Sequence, residues 1–310
     1  MQCAASWSFE RASEMLERLV GVTLSSSEIH ALCQEEGEVI KAFVEESSAE
    51  IVAEAKVRYN GESDDKRLYT GFDGVWVGSR ESKGGMEGKV GILFEETSEN
   101  QVKVSPKRRA ILSKRYVGSF LGWNTVAEQA DRELWSHGWA SLHTTVYGDG
   151  AGWIGSVRDE VLPESMLVLD WWHLKDKLSR CLGAVVDDEQ ERARVQTLVR
   201  GHLWRGDWRG ALTALSEHLP ARTYQRKKMR ELCAYITNQR SGIINYGAWH
   251  EAGRRVSTSI VEKTGDLVIV RRMKKQGMSW TRRGADNVTA LRICLLNQDW
   301  DTVWANRKAA

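Results

Sequence analysis

The sequence predicts a mixed α/β fold with a helical N-terminal segment and a long helical stretch in its second half. Three patterns predict it: helical spacing of apolar residues before residue 66, β-rich runs with glycine-rich turns from residue 68, and helical spacing again from residue 174 to about 250. The chain has 310 residues, 42% hydrophobic and 28% charged. It can therefore bury a core of its own, and this composition excludes disordered and collagen-like proteins.

Helical spacing dominates residues 1–66. Apolar residues recur at this spacing from Phe9 to Leu19, Gly21 ends the run, and a serine at position 25, 26 or 27 is placed to cap a second helix. Two helices joined by a short turn are also typical of a helix-turn-helix that reads DNA. The segment carries 6 Lys and Arg against 14 Asp and Glu, which gives a net charge of −8. Because phosphate binding needs cations, we favour a scaffold or dimerisation element.

Strand patterns begin at Leu68 and define residues 67–173 as one region. The predicted elements are a hairpin of strands 68–77 and 88–94, a third strand near 115–120, a helix ending at Gly138, and short strands at 143–147 and 165–170. This order predicts a mixed α/β layer. Residues 174–252 are predicted to be helical throughout, and further helices are predicted at about 259–275 and 284–296.

Three aspartates lie in or directly after these predicted strands. Asp73 lies inside the first strand, and Asp149 and Asp170 end the last two. Taken singly, Asp73 and Asp149 are explained as turn residues because each precedes a glycine. Taken together, they indicate a ligand-binding edge of the sheet. Carboxylates held close together repel one another unless a divalent metal neutralises them.

Five strings of residues resemble bacterial insertion-sequence transposases of the DDE class, of the Kra and Lre type, which are distantly akin to the Mutator-like group. The strings are Phe72–Gly74, Tyr147–Ile154, Leu169–His173, Ile260–Lys263 and Arg272–Trp280. The likeness covers about residues 68 to 304. It implies an RNase H-like core with a mixed sheet, in which residues 174–252 form an all-helical insertion and residues 253–310 form C-terminal helices with a basic DNA-binding run.

The resemblance also implies a function and its residues. By motif position the catalytic and metal-binding carboxylates are Asp73, Asp149 and Glu262, which would hold two Mg²⁺ ions, with Mn²⁺ as a substitute. The implied activity is strand cleavage and 3′-OH strand transfer at the ends of an insertion sequence. The implied partners are double-stranded DNA, both terminal inverted repeats and target, and further copies of the chain in a homo-oligomer. The alternatives are an inactive or domesticated DNA-binding protein of this fold, a nuclease that cuts without joining, and a glycosidase that uses two of the carboxylates.

Two further carboxylates and a histidine are accessory candidates. His173 follows Asp170 by three residues, and it either orients the scissile strand or fills the start of a helix. Asp266 replaces Glu262 as a candidate if Glu262 only forms a salt bridge with a neighbouring Lys263 or Arg255. The sequence 257–259 is Ser-Thr-Ser, where the family usually has a Gly-Ser-Gly-like turn before the glutamate.

Basic and aromatic side chains supply candidates for DNA contact. The cations that follow Glu262 are the predicted phosphate ligands, although a solvated helix face would explain them too: Arg271, Arg272, Lys274, Lys275, Arg282 and Arg283. Trp204 and Trp208 either stack on an unpaired base or pack between helices.

Cysteine usage and hydropathy predict the compartment. The five cysteines, at positions 3, 33, 181, 233 and 294, include no C-x-x-C pair, which favours a reducing environment. No stretch approaches the roughly 18 apolar residues of a membrane span. We therefore expect a cytoplasmic, nucleoid-associated protein without membrane contact. The transposase relatives usually carry a longer N-terminal region with cysteine pairs, so the resemblance predicts a short member, a mis-started reading frame or a degraded copy.

Overall fold

The computed structural model describes residues 1–58, 66–105, 108–140, 142–218, 222–274 and 277–309. Its helices and strands are, in chain order, α1 (Gln2–Ser6), α2 (Phe9–Val20), α3 (Ser26–Arg58), β1 (Arg67–Ser79), β2 (Met86–Glu95), β3 (Gln101–Ser105), β4 (Arg108–Ile111), β5 (Arg115–Ser119), α4 (Trp123–Ser136), β6 (His143–Gly148), α5 (Gly152–Val161), β7 (Met166–Leu169), α6 (Trp171–Val185), α7 (Glu189–Trp204), α8 (Trp208–Ser216), α9 (Thr223–Asn238), α10 (Tyr246–Glu251), α11 (Ser259–Gly265), α12 (Arg271–Met273), β8 (Ser279–Trp280), α13 (Arg282–Leu296) and α14 (Trp300–Ala309). The predicted mixed α/β class is confirmed.

The chain divides into two compact units. Unit 1 comprises residues 1–144, 156–165 and 260–310, and unit 2 comprises residues 145–155 and 166–259. Because each unit draws on separate parts of the sequence, neither coincides with a continuous stretch of chain.

Unit 1 is built on a sheet that pairs β2 with both β1 and β5. Both pairings are antiparallel, and β8 adds to the end of β1 in parallel, so this sheet is mixed. The predicted first hairpin and third strand are confirmed. Helices α1, α2 and α3 pack with α13 around a core of small and branched side chains: Ala4, Ala5, Ala12, Ile29, Cys33, Ile40, Leu291, Cys294 and Val303.

Capping explains where α3 begins. The hydroxyl of Ser25 accepts a hydrogen bond from the N–H of Glu28, 3.2 Å away, and the Glu28 carboxylate accepts one from the N–H of Ser25 at 2.8 Å. This reciprocal pair is a capping box, and it satisfies two N–H groups that a helix start leaves without partners. The prediction of a serine cap in this stretch is therefore confirmed. The helix that follows has 33 residues.

The helix after Ser259 is interrupted by one wide turn. Residues 266–270 form a π-helical turn between α11 and α12. Two carbonyl oxygens from this turn accept hydrogen bonds from Nε of Arg292 on α13, at 3.1 Å for Leu267 and 2.9 Å for Val268. A buried arginine thus compensates backbone oxygens at the irregular turn. The predicted single helix is present, but with a local change of pitch.

Unit 2 contains the parallel pair β6 and β7 and the helical region. In that pair Thr145 lies opposite Met166 and Gly148 opposite Leu169. Among the described residues of 174–252, the regular elements are helices only, as predicted. One boundary differs from the prediction, because β7 ends at Leu169 and Asp170 caps α6 instead of ending the strand.

Three strands have no counterpart in the sequence prediction: the pair β3 and β4, and the two-residue strand β8. Among the helices of the described ranges, none combines the length and the apolar character that crossing a bilayer requires.

Candidate active site

Strand β1 and helix α11 approach each other at a distance that only glycine permits. A Cβ atom on Gly71 would lie 2.3 Å from Cγ2 of Val261, and one on Gly265 would lie 2.8 Å from Cγ2 of Val75. Any larger residue at these two positions would separate the strand from the helix. The two glycines therefore hold β1 directly against α11 within unit 1.

Asp73 lies on the face of β1 that α11 covers. Side chains alternate along a strand, so Asp73 shares its face with Gly71 and Val75, which make the glycine contacts. Its side chain is half-buried, and its Oδ1 accepts a hydrogen bond from the N–H of Gly74 at 2.8 Å. The aspartate predicted inside a strand is therefore placed beside the helix that carries the predicted glutamate.

Glu262 is an exposed side chain on α11, next to the buried Val261. It forms no ion pair or hydrogen bond among the described residues, so the alternative of a salt bridge to Lys263 or Arg255 is not found in this part of the chain. Asp266, the fallback carboxylate, accepts a hydrogen bond from Nε of Arg271 at 2.7 Å. Of the two carboxylates on this helix, Glu262 is the one that keeps its oxygens available.

In unit 2, Asp149 stands in the turn that follows β6. Its Oδ1 accepts a hydrogen bond from the N–H of Ala151 at 2.8 Å, and its own carbonyl accepts one from the hydroxyl of Tyr235 at 3.0 Å. Gly150 has a φ of +92°, a conformation that disfavours residues with a Cβ. Its carbonyl is held by the side-chain amide of Gln239 at 2.9 Å. Backbone contacts thus fix the turn, while the half-buried carboxylate makes a single hydrogen bond to the described residues.

A small cavity adjoins this turn. It has a volume of about 90 Å³, and its lining includes Gly148, Gly150, Gly152, Leu169 and Gln239. Glycine lining leaves the backbone close to anything that enters. The cavity lies within unit 2, beside the turn that carries Asp149.

Asp170 differs from Asp149 in burial and in bonding. Its side chain is fully buried, and its carboxylate accepts hydrogen bonds from Nδ1 of His173 and Oγ1 of Thr258, both at 2.5 Å, and from the N–H of Trp172 at 3.0 Å. Burial alone would raise the pKa of Asp170, but these hydrogen bonds outweigh it, and the pKa is lowered. Asp170 therefore joins the start of α6 to residue 258.

The structure gives His173 a defined orientation. Its Nδ1 faces Asp170, and about a quarter of its side chain remains exposed. An imidazole held by a carboxylate through one nitrogen presents the other nitrogen to a ligand or to solvent. The geometry fits both readings of His173, an accessory group and a helix-start residue.

The prediction that Arg272 binds a DNA phosphate is wrong, because its side chain is buried. It is 2% exposed, its Nε donates to the carbonyl of Ala4 at 2.8 Å, and its guanidinium lies 4.4 Å from the centroid of the Phe9 ring and 5.1 Å from that of Trp280. Burial lowers the pKa of Arg272 to about 10. This cation anchors α1 and is not available to DNA.

The other predicted cations that the structure describes lie at the surface. Arg271 pairs with Asp266, and Lys274 is exposed. Arg282 donates from Nη1 to the carbonyl of Phe120 at 2.6 Å. Arg283, with 77% of its side chain exposed, pairs with Glu38 at 2.7 Å. Lys275 lies outside the described residues.

The two tryptophans proposed for base stacking lie in different surroundings. Trp204 packs into an aromatic cluster of unit 2, with ring centroids 4.9 Å from Trp171 and 6.1 Å from Tyr246. Trp208 is covered on one side by the guanidinium of Arg209, 4.9 Å from the ring centroid. Packing between helices therefore accounts for Trp204.

Comparison with known proteins places the chain in a family. The sequence profile of UPF0236, described as an uncharacterised protein family, matches residues 2–308. The chain belongs to UPF0236. It is similar to a curated relative from Streptococcus gallolyticus, the "UPF0236 protein in vanSb 3′ region", with 23% identity over 313 residues. That alignment covers 98% of this chain and 63% of the relative, so the chain spans less than two thirds of the relative's length.

Sequence reasoning missed two contributors to the candidate site of this UPF0236 chain. Gln239 holds the turn at Gly150, and Thr258 bonds to Asp170, yet neither belongs to a string with a chemical signature. Thr258 lies in the Ser-Thr-Ser stretch that departs from the usual glycine turn of the transposases. That departure was the signal that could have drawn attention to it.

Proposed function

We propose that this UPF0236 chain is a DNA transposase whose catalytic carboxylates are Asp73, Asp149 and Glu262. The observation that carries the proposal is the contact of β1 with α11. It places Asp73, from the first strand, on the strand face covered by the helix that bears Glu262. The resemblance to DDE transposases predicts this pairing of a first-strand aspartate with a late-helix glutamate. The contact thus supports an approach of two residues that lie far apart in sequence.

The state of two of the proposed carboxylates, Glu262 and Asp149, also supports the proposal. Glu262 has no partner among the described residues, and Asp149 makes one side-chain hydrogen bond. By contrast, Asp170 uses its carboxylate within the fold. A metal ligand needs oxygens that the protein has not already engaged.

Two Mg²⁺ ions, with Mn²⁺ as a substitute, would be held by the three carboxylates, since carboxylate oxygens are the ligands that these hard cations prefer. When bound, the ions would activate the attacking oxygen and stabilise the leaving oxygen at the phosphodiester. Within the ranges that the structure describes, no group of three or more acidic, histidine or cysteine side chains is arranged to hold a metal. The participation of Asp149 with the other two is therefore the part of the proposal that an experiment must establish.

Several residues of this chain would position the reacting groups or bind the DNA. The turn at Asp149 is fixed by Gln239 and Tyr235, so its carboxylate keeps its position when DNA binds. Exposed cations that follow Glu262, among them Lys274 and Arg283, would bind phosphates. Water would be the first nucleophile, and the freed 3′-hydroxyl would attack the target strand. In each step one phosphodiester bond breaks as another P–O bond forms, and no nucleotide cofactor is needed.

A joining assay tests the proposal. The purified chain is mixed with labelled duplexes that carry the DNA flanking its reading frame, a supercoiled target plasmid and Mg²⁺. The wild type should give both nicked ends and labelled plasmid. D73N, D149N and E262Q should give neither. D159N is the matched control, because Asp159 is exposed and pairs only with its neighbour Arg158 among the described residues.

The outcomes separate the proposal from its alternatives. Nicked ends without labelled plasmid would identify a nuclease that does not join. Duplex binding without either product would identify an inactive DNA-binding protein of the same fold. Joining by D149N at the wild-type rate would show that the carboxylate assignment is wrong.

A further inference from the structure

The two-stranded sheet of β3 and β4 stands apart from the main sheet of unit 1. The strands pair with each other, and neither pairs with another strand of the described chain. We call residues 101–105 and 108–111 the basic ribbon. All residues of β3 after Gln101 are exposed. An antiparallel ribbon with so little cover gains little stability from packing, which points to a role other than stabilising the fold.

The two faces of the basic ribbon differ in chemistry. Lys103 lies directly opposite Arg109, so both side chains project from one face. Val102 lies opposite Ala110 on the other face. Val102 and Val104 are 45% and 55% exposed. At these two paired positions one face is therefore cationic and the other apolar.

The cationic pair is unfavourable in the isolated protein. Like charges directly opposite each other on neighbouring strands repel. Lys103 and Arg109 are both exposed, and neither has an ion-pair partner in the part of the chain that the structure describes. The sequence from 101 to 114 contains five cations and no acidic residue. A polyanion bound at this face would remove the repulsion.

The base of the basic ribbon is held firmly by Asn100. Its side-chain amide donates to the carbonyls of Glu95 and Ser113 at 3.0 and 2.8 Å, and its Oδ1 accepts from the N–H of Ser113 at 2.6 Å. Its own carbonyl accepts from the N–H of Leu112 at 3.0 Å. One residue thus ties the two arms together. The ribbon is presented as a preorganised element, which lowers the entropic cost of binding a ligand.

The charged side chains at the base lie outside the basic ribbon. Lys114 points back to the base, where its Nζ donates to the carbonyl of Ile111 at 2.9 Å and burial lowers its pKa. Glu95 accepts a hydrogen bond from Nε1 of Trp139, and Glu99 bonds to Ser98. The acidic side chains of residues 95–100 thus belong to the segment that precedes the ribbon.

We propose that the basic ribbon binds double-stranded DNA in the major groove, with the face of Lys103 and Arg109 toward the DNA. The major groove admits a two-stranded β-ribbon, and exposed cations on one face match the phosphates that line it. This inference rests on the proposed function, because it names a surface with which the transposase would bind its DNA. It adds a DNA contact that is remote in sequence from Glu262 and its basic run.

Salt-dependent duplex binding by the full chain tests this inference. Fluorescence anisotropy with a labelled 30-base-pair duplex gives the binding constant between about 50 and 200 mM salt. The double variant K103A/R109A should bind more weakly. Its plot of log K against log salt should have a slope shallower by about 1.8, because each phosphate contact contributes about 0.9. D159N, at an exposed aspartate outside the proposed site, should bind as tightly as the wild type.

Two control variants make the test specific. V102T/V104T removes exposed apolar surface from the same ribbon while keeping β-branched side chains, and it should leave the slope unchanged. R226A/K227A removes an exposed arginine and lysine from α9, and it should also leave the slope unchanged. Circular dichroism and thermal unfolding of each variant check that the fold is retained.

The outcomes distinguish failure of the ribbon from failure of the proposed function. Suppose that the wild type joins DNA and that K103A/R109A keeps the wild-type slope of log K against log salt. This result would overturn the DNA-binding role of the ribbon but not the proposed transposase function. An altered sedimentation coefficient for V102T/V104T, with unchanged duplex binding by K103A/R109A, would identify a protein-binding ribbon and also overturn the inference. A wild type without any duplex binding would overturn both proposals.

Discussion

Asp149 and Asp170 follow two neighbouring parallel strands of unit 2, yet the protein uses them differently. Asp149 is half-buried and accepts one side-chain hydrogen bond, from Ala151. Asp170 is fully buried and accepts bonds from His173, Thr258 and Trp172. A carboxylate has about four acceptor sites. Asp170 uses most of its sites within the fold, whereas Asp149 leaves most of its own without a partner among the described residues.

This difference shows that aspartates at two neighbouring strand ends can have very different bonding. The cap that Asp170 provides for α6 and its bond to Thr258 stabilise unit 2 directly. The turn at Asp149 is stabilised around the carboxylate instead, through the carbonyls of Asp149 and Gly150. The substitutions below therefore separate activity from stability.

The largest effect is expected for D149N. Strand joining should fall to the level of a reaction without protein, because the amide would remove a charged ligand oxygen. The free energy of unfolding should stay within about 0.5 kcal/mol of the wild type, since the side chain makes a single hydrogen bond. Chemical denaturation and the joining assay, run on the same preparation, check both parts. A large loss of stability would place Asp149 in the same class as Asp170.

The next effect is a loss of stability in D170N. The amide cannot accept from His173 and Thr258 as the carboxylate does, and breaking such a buried charged network costs roughly 3–5 kcal/mol. Urea unfolding measures this loss. T258V is a milder variant for comparison. Its loss of unfolding free energy should be smaller, about 1.5–3 kcal/mol, because it removes one donor to a charged group. If D170N has the same midpoint of urea unfolding as the wild type, the hydrogen bonds of Asp170 to His173 and Thr258 do not stabilise the fold.

A pH series sharpens the same contrast. The pKa of Asp170 is lowered in the folded protein, so its contribution to stability is fully present above the unfolded-state pKa of about 3.9 and is lost as the pH falls through the folded-state value. The difference in melting temperature between the wild type and D170N should therefore shrink as the pH is lowered below about 4. A difference that stays constant down to acidic pH would contradict the lowered pKa.

The smallest effect concerns two neighbouring cations after Glu262. K274A should flatten the salt slope of duplex binding by about 0.9, because Lys274 is exposed. R272M should leave the slope unchanged, because the guanidinium of Arg272 is buried against the carbonyl of Ala4 and the ring of Phe9. Anisotropy titrations of the two variants give the comparison directly. A flattened slope in R272M would show that this arginine reaches DNA after all.

Local patterns were sufficient to predict much of the fold. Alternating β-branched residues with a glycine-rich turn predicted the hairpin of β1 and β2, and helical spacing after residue 174 predicted the helices of unit 2. The basic ribbon was missed because its strands are short and rich in charged residues, which resemble a loop. The two-residue strand β8 was missed because it forms only by pairing with residues 78–79 of β1.

Burial was harder to predict than secondary structure. A run of cations predicted a phosphate-binding surface, and within it nothing marked Arg272 as the side chain that packs between Phe9 and Trp280. The contact of Asp170 with Thr258 joins residues far apart in sequence, so no local spacing predicts it. The positions of Gly71 and Gly265 became meaningful only when their close approaches to Val261 and Val75 were known.

Metal-directed cleavage of the chain tests the joint action of Asp73, Asp149 and Glu262 most directly. Fe²⁺ in place of Mg²⁺, with ascorbate and peroxide, generates hydroxyl radicals that cut the backbone next to a bound metal. If the three carboxylates share a metal site, we expect cuts near all three residues in the wild type. Excess Mg²⁺ should suppress these cuts, and D149N should lose all of them together. Cuts near residues 73 and 262 that persist in D149N, with none near residue 149, would contradict a shared site.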